Sequence, residues 1–70
     1  MKYNIQWTNK YSEETGYVGK VMYKAGHFVN TFEQESAKKY KSQTEAEKDI
    51  AKLIEIGEGE NNNFAVVEWE

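Results

Sequence analysis

The side chains that most often carry out catalysis are few in this chain and lie far apart. His27 is the only histidine, and it follows a glycine-containing segment that favours a turn. A general base needs a nucleophile or an acid within hydrogen-bonding reach, and the sequence offers His27 no such partner. Glu13 and Glu14 are adjacent, so their side chains point in different directions, whereas glycosidases need two carboxyl groups across a cleft. The sequence therefore predicts a protein that is not an enzyme.

Motifs for cofactors and metals are also incomplete. Gly57–Gly59 is similar to the start of a phosphate-binding loop, but such a loop precedes a helix, and here the predicted helix comes first. Glu55, Glu58 and Glu60 offer carboxylates for calcium without the alternating ligand spacing of an EF-hand. The chain has no cysteine, which excludes disulfides, thiolate zinc sites and iron–sulfur clusters. We predict no cofactor and no metal site.

One basic cluster, Lys38, Lys39, Tyr40 and Lys41, has a tyrosine between lysines. Aromatic rings among lysines can stack the bases of single-stranded nucleic acid, which makes this cluster an alternative binding site. All nine basic residues of the chain are lysine, and arginine is the side chain that reads guanine edges and clamps phosphates best. Nucleic acid is therefore the weaker hypothesis, and the other interpretation is a solvated connection in which Tyr40 packs on the next helix.

The charge of the chain is unevenly distributed. Residues 1–41 contain seven lysines and four acidic residues, whereas residues 42–70 contain two lysines and eight acidic residues. The acidic half predicts either a face that binds a basic partner or simply a soluble surface. The candidate contacts of the acidic face are Glu45, Asp49, Glu55, Glu58 and Glu60.

Four segments have the pattern of strands. Residues 2–8 alternate polar and apolar side chains, and residues 17–23 and 28–32 are rich in β-branched and aromatic residues on either side of a glycine turn. Residues 64–69 form a last apolar segment after a polar loop that we expect to be flexible. The start of the chain has no continuous apolar run, so it predicts neither a signal peptide nor a membrane span, and we expect a cytoplasmic protein.

A single helix is predicted between Ser42 and Gly57. Ser42 and Glu45 have the spacing of a capping box, and Gly57 suits the residue that ends the helix. The charged residues of this helix, Asp49 included, are expected to face water. The apolar stripe that should face a sheet consists of Ala46, Ile50, Leu53 and Ile54.

These elements predict one small two-layer α+β domain over residues 1–70. The order is β-β-β-α-β, an antiparallel three-stranded meander followed by one helix and a C-terminal strand. The place of the last strand stays open, and a mixed sheet is permitted. The residues expected at the centre of the core are Trp7, Ile50, Leu53 and Trp69.

The ten aromatic residues exceed what one helix can cover. We therefore expect several of them to remain partly exposed, and exposed tyrosines are frequent at interfaces. Strand edges give a second route to association, so a homodimer is a further hypothesis. The residues expected to be partly exposed include Tyr3, Tyr11, Tyr17, Tyr23, Phe28 and Phe32.

The chain resembles a type of short protein found in phages and prophages of low-GC Gram-positive bacteria. The resemblance depends on a Lys-Tyr-x-Ile opening strand, a glycine turn, the segment Ala37–Lys48 and a closing Val-Val-Glu strand. It implies a small non-enzymatic protein that binds a host protein, including nucleases and other defence components, sometimes through an acidic surface that competes with nucleic acid. A phage-encoded inhibitor acting through its acidic face is thus the leading hypothesis, with a structural or homo-oligomeric component as another.

Overall fold

A computed structural model describes residues 2–69 of the protein, which form a four-stranded sheet covered on one face by one α-helix. The elements in chain order are β1 (Lys2–Asn9), β2 (Thr15–Met22), β3 (His27–Thr31), α1 (Gln43–Glu55) and β4 (Asn62–Trp69). Short 3₁₀ turns occupy three of the connections. The predicted α+β class is confirmed.

The last strand takes a place that the sequence left open. β4 pairs with β1 in an antiparallel ladder from Lys2 opposite Trp69 to Asn9 opposite Asn62. The sheet order is therefore β3-β2-β1-β4, and all three pairings are antiparallel. The strands therefore do not lie in the order of the chain. β4 lies beside β1 and not beside β3, which makes β1 an inner strand and β4 an edge strand.

A segment of the β3–α1 connection fills a gap inside the sheet. Direct pairing of β1 with β2 covers only Gln6–Thr8 with Thr15–Tyr17. Beyond that, the backbones of Tyr3 and Tyr40 exchange hydrogen bonds of 3.0 and 2.8 Å, and the amide of Lys38 donates to the carbonyl of Val18 at 3.1 Å. Because residues 38–40 are bonded to both strands, the Tyr40 side chain is fixed against the middle of α1, where its hydroxyl donates to Asp49.

The core lies between α1 and the face of the sheet that carries Ile5 and Trp7. The buried residues of this cluster are Ile5, Trp7, Val18, Tyr40, Ala46 and Leu53, with Ile50 packed against them. The prediction that Trp69 belongs to the central core is wrong, because its ring lies half-exposed beside the lysine side chains of Lys2 and Lys39. The prediction that Ile54 belongs to the apolar stripe facing the sheet is also wrong, because 59% of this residue is exposed.

Both ends of α1 form as the sequence predicts. The Ser42 hydroxyl accepts a hydrogen bond from the Glu45 amide at 3.2 Å, and the Glu45 carboxylate accepts from the Lys41 amide at 3.2 Å. The Ser42 hydroxyl thereby satisfies one otherwise unpaired helix amide. The predicted capping box forms in part, because the Glu45 carboxylate bonds to the amide of Lys41, one residue before the cap, instead of to the amide of Ser42. At the other end Gly57 adopts a left-handed conformation with φ of 94°, which a glycine adopts without the steric cost of a Cβ.

We expect Ser42→Ala to lower the free energy of unfolding by about 1 kcal/mol, since it removes the acceptor of the Glu45 amide. For a domain of this size that corresponds to a decrease in Tm of about 4–8 °C. Thermal denaturation followed by circular dichroism measures it, with Gln43→Ala, one residue further along, as the control. Equal melting temperatures of the two variants would show that the cap does not stabilise the helix.

Candidate functional site

Asp49, predicted to lie on the acidic face, is inside the protein. Only 7% of the residue is exposed, and its Oδ2 atom accepts hydrogen bonds from the Tyr40 hydroxyl at 2.5 Å and from Lys38 Nζ at 3.0 Å. Lys52 Nζ lies 3.8 Å from the other carboxylate oxygen. The prediction that Asp49 faces water is wrong, because residues 38–40 pack against this side of α1. Asp49 therefore cannot contribute a contact to an exposed acidic face.

The titration of this buried pair follows from its contacts. Burial by itself raises the pKa of the Asp49 carboxyl, but hydrogen bonds from Tyr40 and Lys38 and the charges of Lys38 and Lys52 outweigh burial and hold that pKa below its usual range. The pKa of the Tyr40 hydroxyl is raised, first by burial and then by its hydrogen bond to the Asp49 carboxylate. The network is therefore an ionised carboxylate bonded to a neutral phenol, and it fixes the connection to the helix.

The same contacts weaken the nucleic-acid hypothesis for the basic cluster. Tyr40 is 5% exposed and belongs to the core, so its ring offers no free face on which a base can stack. Lys38 is bonded to Asp49, while Lys39 donates to the Glu35 carbonyl at 2.8 Å and lies 4.4 Å from the centre of the Trp69 ring. Lys41 is exposed. The cluster thus lacks the exposed tyrosine that the hypothesis requires.

The remaining predicted acidic residues do not form one patch. Glu45 lies in the first turn of α1 and Glu55 in the last, which separates them by about 15 Å along the helix axis. Lys48 and Lys52 lie between them on the same exposed flank, which breaks up the negative surface of the helix. The acidic face is therefore confined to the C-terminal end of α1 and the turn that follows.

At that end two glutamates from distant parts of the chain line one cavity. Glu14 comes from the β1–β2 hairpin and Glu58 from the 3₁₀ turn after α1, and both line a groove of about 260 Å³. We call this cavity the acidic groove. Its lining residues are Trp7, Asn9, Glu14, Phe28, Asn30, Glu58 and Asn62. Glu14 was not among the predicted contacts, since only the pairing of β4 with β1 brings it near Glu58.

The hairpin that carries Glu14 is held by side-chain hydrogen bonds. Asn9 Oδ1 accepts from the amides of Tyr11 at 2.9 Å and Ser12 at 3.0 Å, and the Asn9 amide donates to the Glu14 carbonyl at 2.8 Å. Glu13 takes the left-handed conformation that closes the turn, with φ of 64°. Glu14 is thus placed by a closed turn with defined bonds.

The turn that carries Glu58 is bonded to this hairpin. The Lys10 amide donates to the Asn61 carbonyl at 2.8 Å, and Lys10 Nζ donates to the Gly59 carbonyl at 2.8 Å. The Asn62 side-chain amide donates to the Glu58 carbonyl at 3.4 Å. The polar loop that we expected to be flexible instead contains a 3₁₀ turn, Glu58–Glu60, attached to the hairpin on one side and β4 on the other.

The chemistry of the acidic groove is that of a cation acceptor. Of the described residues, those that line it are two glutamates, three asparagines, a tryptophan and a phenylalanine, and none of them is a lysine. Glu55, which does not line the groove, accepts a hydrogen bond from the Tyr23 hydroxyl at 2.5 Å, and that bond is the main cause of a raised pKa of Tyr23. The ammonium of Lys10 donates to the Gly59 carbonyl at 2.8 Å and keeps its charge, but Lys10 does not line the acidic groove. Among residues 2–69, neither Glu14 nor Glu58 forms an ion pair, so the groove offers carboxylates to a cationic group of a partner.

Glu60 faces a second and larger cavity, of about 540 Å³, between α1 and β4. Ile50, Ile54 and Phe64 give this cavity an apolar floor, and we call it the apolar groove. The other residues that line it are Lys10, Gly59, Glu60, Asn62 and Asn63. The two cavities share only Asn62, so each can be altered without changing the other.

Comparison of the chain with family models, curated proteins and solved structures found no match. No helix within residues 2–69 has the length and hydropathy needed to cross a membrane. In the same residues, no three histidine or acidic side chains are grouped closely enough to hold a metal ion.

Proposed function

We propose that this protein is a non-enzymatic binding module that takes a basic side chain of a partner protein into the acidic groove. The observation that carries the proposal is the convergence of Glu14 and Glu58 on one cavity without a lysine to neutralise them. The proposal keeps Glu58 and nearby Glu55 and Glu60 from the sequence-based face. It leaves out Glu45, which lies at the other end of α1, and Asp49, which is buried, and it adds Glu14.

The mode of recognition follows from the lining of the groove. A lysine or arginine head group would donate charge-assisted hydrogen bonds to the carboxylates of Glu14 and Glu58, which are stronger than bonds between neutral groups. Its aliphatic stem would pack along the half-buried ring of Phe28. Such an interface forms faster and binds more tightly at low ionic strength, since salt screens exposed charges.

The context for this activity is the one implied by the resemblance to small phage proteins. In that context the partner is a host or defence protein with a basic surface in the cytoplasm, and occupying that surface inhibits the partner. A nucleic-acid-binding partner would fit best, because the acidic groove would then compete with phosphate groups for the same basic side chains.

A pair of matched double variants tests the proposal. Glu14→Gln with Glu58→Gln removes both carboxylates of the groove, whereas Glu45→Gln with Glu47→Gln removes the same charge at the other end of α1. Tagged wild-type protein would first capture a basic partner from host lysate at low salt and release it at high salt. Isothermal titration calorimetry with the purified partner should then show that the groove variant binds about tenfold more weakly than wild type or worse. The reason is that the variant has lost the charge-assisted hydrogen bonds to Glu14 and Glu58.

The control variant should bind within about twofold of wild type, since its substitutions change the net charge equally and leave the groove intact. Equal weakening by both variants would indicate an effect of net charge alone. Unchanged binding by the groove variant would show that the partner uses another surface.

A further inference from the structure

The indole nitrogen of Trp7 is buried and has no hydrogen-bond partner. Only 6% of Trp7 is exposed, and within residues 2–69 its Nε1 atom is the one buried side-chain nitrogen or oxygen that bonds to no other group. An indole N–H can only donate, and an unpaired buried donor costs free energy, so such groups are rare in folded proteins. Trp7 also lines the acidic groove, so an acceptor held in that groove could pair with this donor.

The surrounding backbone fixes where the donor lies. Trp7 is opposite Gly16 in the β1–β2 ladder, and its ring covers Gly16 so closely that a Cβ there would lie 3.0 Å from Nε1. Glu14 is two residues before Gly16, about 7 Å further along at the usual rise of a strand. The Glu14 end and the Trp7 end of the groove are therefore separated by about the length of a lysine or arginine side chain.

A side chain that packs against the indole is free to move. The Phe32 ring contacts the Trp7 ring edge-on, with 6.0 Å between the ring centres and 62° between their planes. Phe32 follows the last residue of β3, Thr31, and falls opposite Gly16 when the β2–β3 register is continued. Phe32 is 65% exposed and lies outside the buried core cluster, so its ring can turn towards solvent and open the Nε1 edge of the indole.

We propose that the acidic groove binds a basic residue together with a carbonyl oxygen of the same peptide backbone, which accepts a hydrogen bond from Trp7 Nε1. This inference rests on the proposed function and adds which part of the partner is recognised. The basic head group bonds to Glu14 and Glu58, while the backbone carbonyl lies above Gly16. Backbone carbonyls inside a helix or a sheet are already bonded to amides, so the groove favours a basic residue in an irregular loop or a disordered tail of the partner.

Two small ligands with the same head group separate the two contacts. The capped peptide acetyl-Gly-Arg-Gly-amide has a guanidinium group and backbone carbonyls, whereas n-butylguanidinium has the head group and an aliphatic stem alone. Nuclear magnetic resonance titration of the ¹⁵N-labelled protein should give a dissociation constant about tenfold lower for the peptide, because the peptide alone pairs the buried donor. Only the peptide should move the indole N–H resonance of Trp7 downfield, and the resonance of the half-exposed Trp69 is the internal control.

Trp7→Phe assigns the resonance and removes the donor while it keeps an aromatic ring. The folded variant should bind the peptide about tenfold more weakly than wild type does, and should bind butylguanidinium within about twofold of wild type. If the variant does not fold, the wild-type titration alone decides. Shifts at the Glu14 and Glu58 amides without an indole shift, or equal affinities of the two ligands, would overturn this inference and leave the proposed function standing. If neither ligand shifts those amides, the proposed function fails together with the inference.

Discussion

Asp49→Ala should lower the free energy of unfolding by about 2–4 kcal/mol, the loss expected when a hydrogen-bonded charge is removed and a buried polar partner remains. The variant leaves the Tyr40 hydroxyl in the core without its acceptor and separates Lys38 from its carboxylate. A domain of this length seldom has more than about 3–5 kcal/mol in total, so much of the protein should be unfolded at room temperature. Urea denaturation followed by tryptophan fluorescence measures the effect.

The control for this variant is Glu47→Ala, which removes an exposed carboxylate from the same helix. We expect it to change the free energy of unfolding by no more than about 0.5 kcal/mol. Replacing both partners, with Tyr40→Phe and Asp49→Leu together, should cost less than Asp49→Ala alone, because the groups then left unpaired, on Lys38 and Lys52, are exposed to water. Equal stability of Asp49→Ala and Glu47→Ala would contradict the buried network.

The same network predicts a pH dependence with a definite sign. Because the pKa of Asp49 is lower in the folded protein than its ordinary value of 3.8, its contribution is present above that value and is lost as the pH falls through the folded-state pKa. Because the pKa of Tyr40 is raised, its contribution is present below the ordinary value of 10.0 and is lost as the pH rises above it. Asp49→Asn should flatten the acid side of the stability profile, and Tyr40→Phe the alkaline side.

Leu53→Ala should have the other large effect, lowering the free energy of unfolding by about 2–5 kcal/mol. Leu53 is fully buried between α1 and the sheet, so its truncation loses apolar contacts and leaves a cavity. The matched control is Ile54→Ala, the next residue of the helix, which is 59% exposed and should cost less than about 1 kcal/mol. Both should be measured by urea denaturation under the same conditions.

If Ile54→Ala were as destabilising as Leu53→Ala, the helix would be rotated relative to the packing described above. The comparison is informative because the sequence places both residues on one apolar stripe, whereas the structure buries only the first of them.

The structural features that are determined by residues close together in the sequence could be predicted. The Ser42 and Glu45 cap, the Gly57 end and the alternation of β1 are all local signals. The burial of Asp49 could not be predicted, because it requires Tyr40 to be fixed by backbone bonds to Tyr3, far away in the chain. A charged residue next to a helical stripe is usually exposed, and only a tertiary partner reverses this.

The acidic groove could likewise be predicted only in part from the sequence. Glu58 was predicted from the acidic composition of the second half, whereas Glu14 carried no signal beyond a neighbouring glutamate. The two meet because β4 pairs with β1 and brings the turn before β4 next to the hairpin after β1. That pairing was left open by the sequence, and with it the position of the groove.

The most direct test of partner binding at the acidic groove is a nuclear magnetic resonance titration of the ¹⁵N-labelled protein. The ligand is a lysine- and arginine-rich peptide taken from the captured partner. Occupation of the acidic groove predicts that the largest amide shifts occur at Glu14, Asn30, Glu58 and Asn62, and that they disappear at high salt. If the largest shifts instead lie along the outer side of α1 around Glu45 and Glu47, the groove is not the binding site.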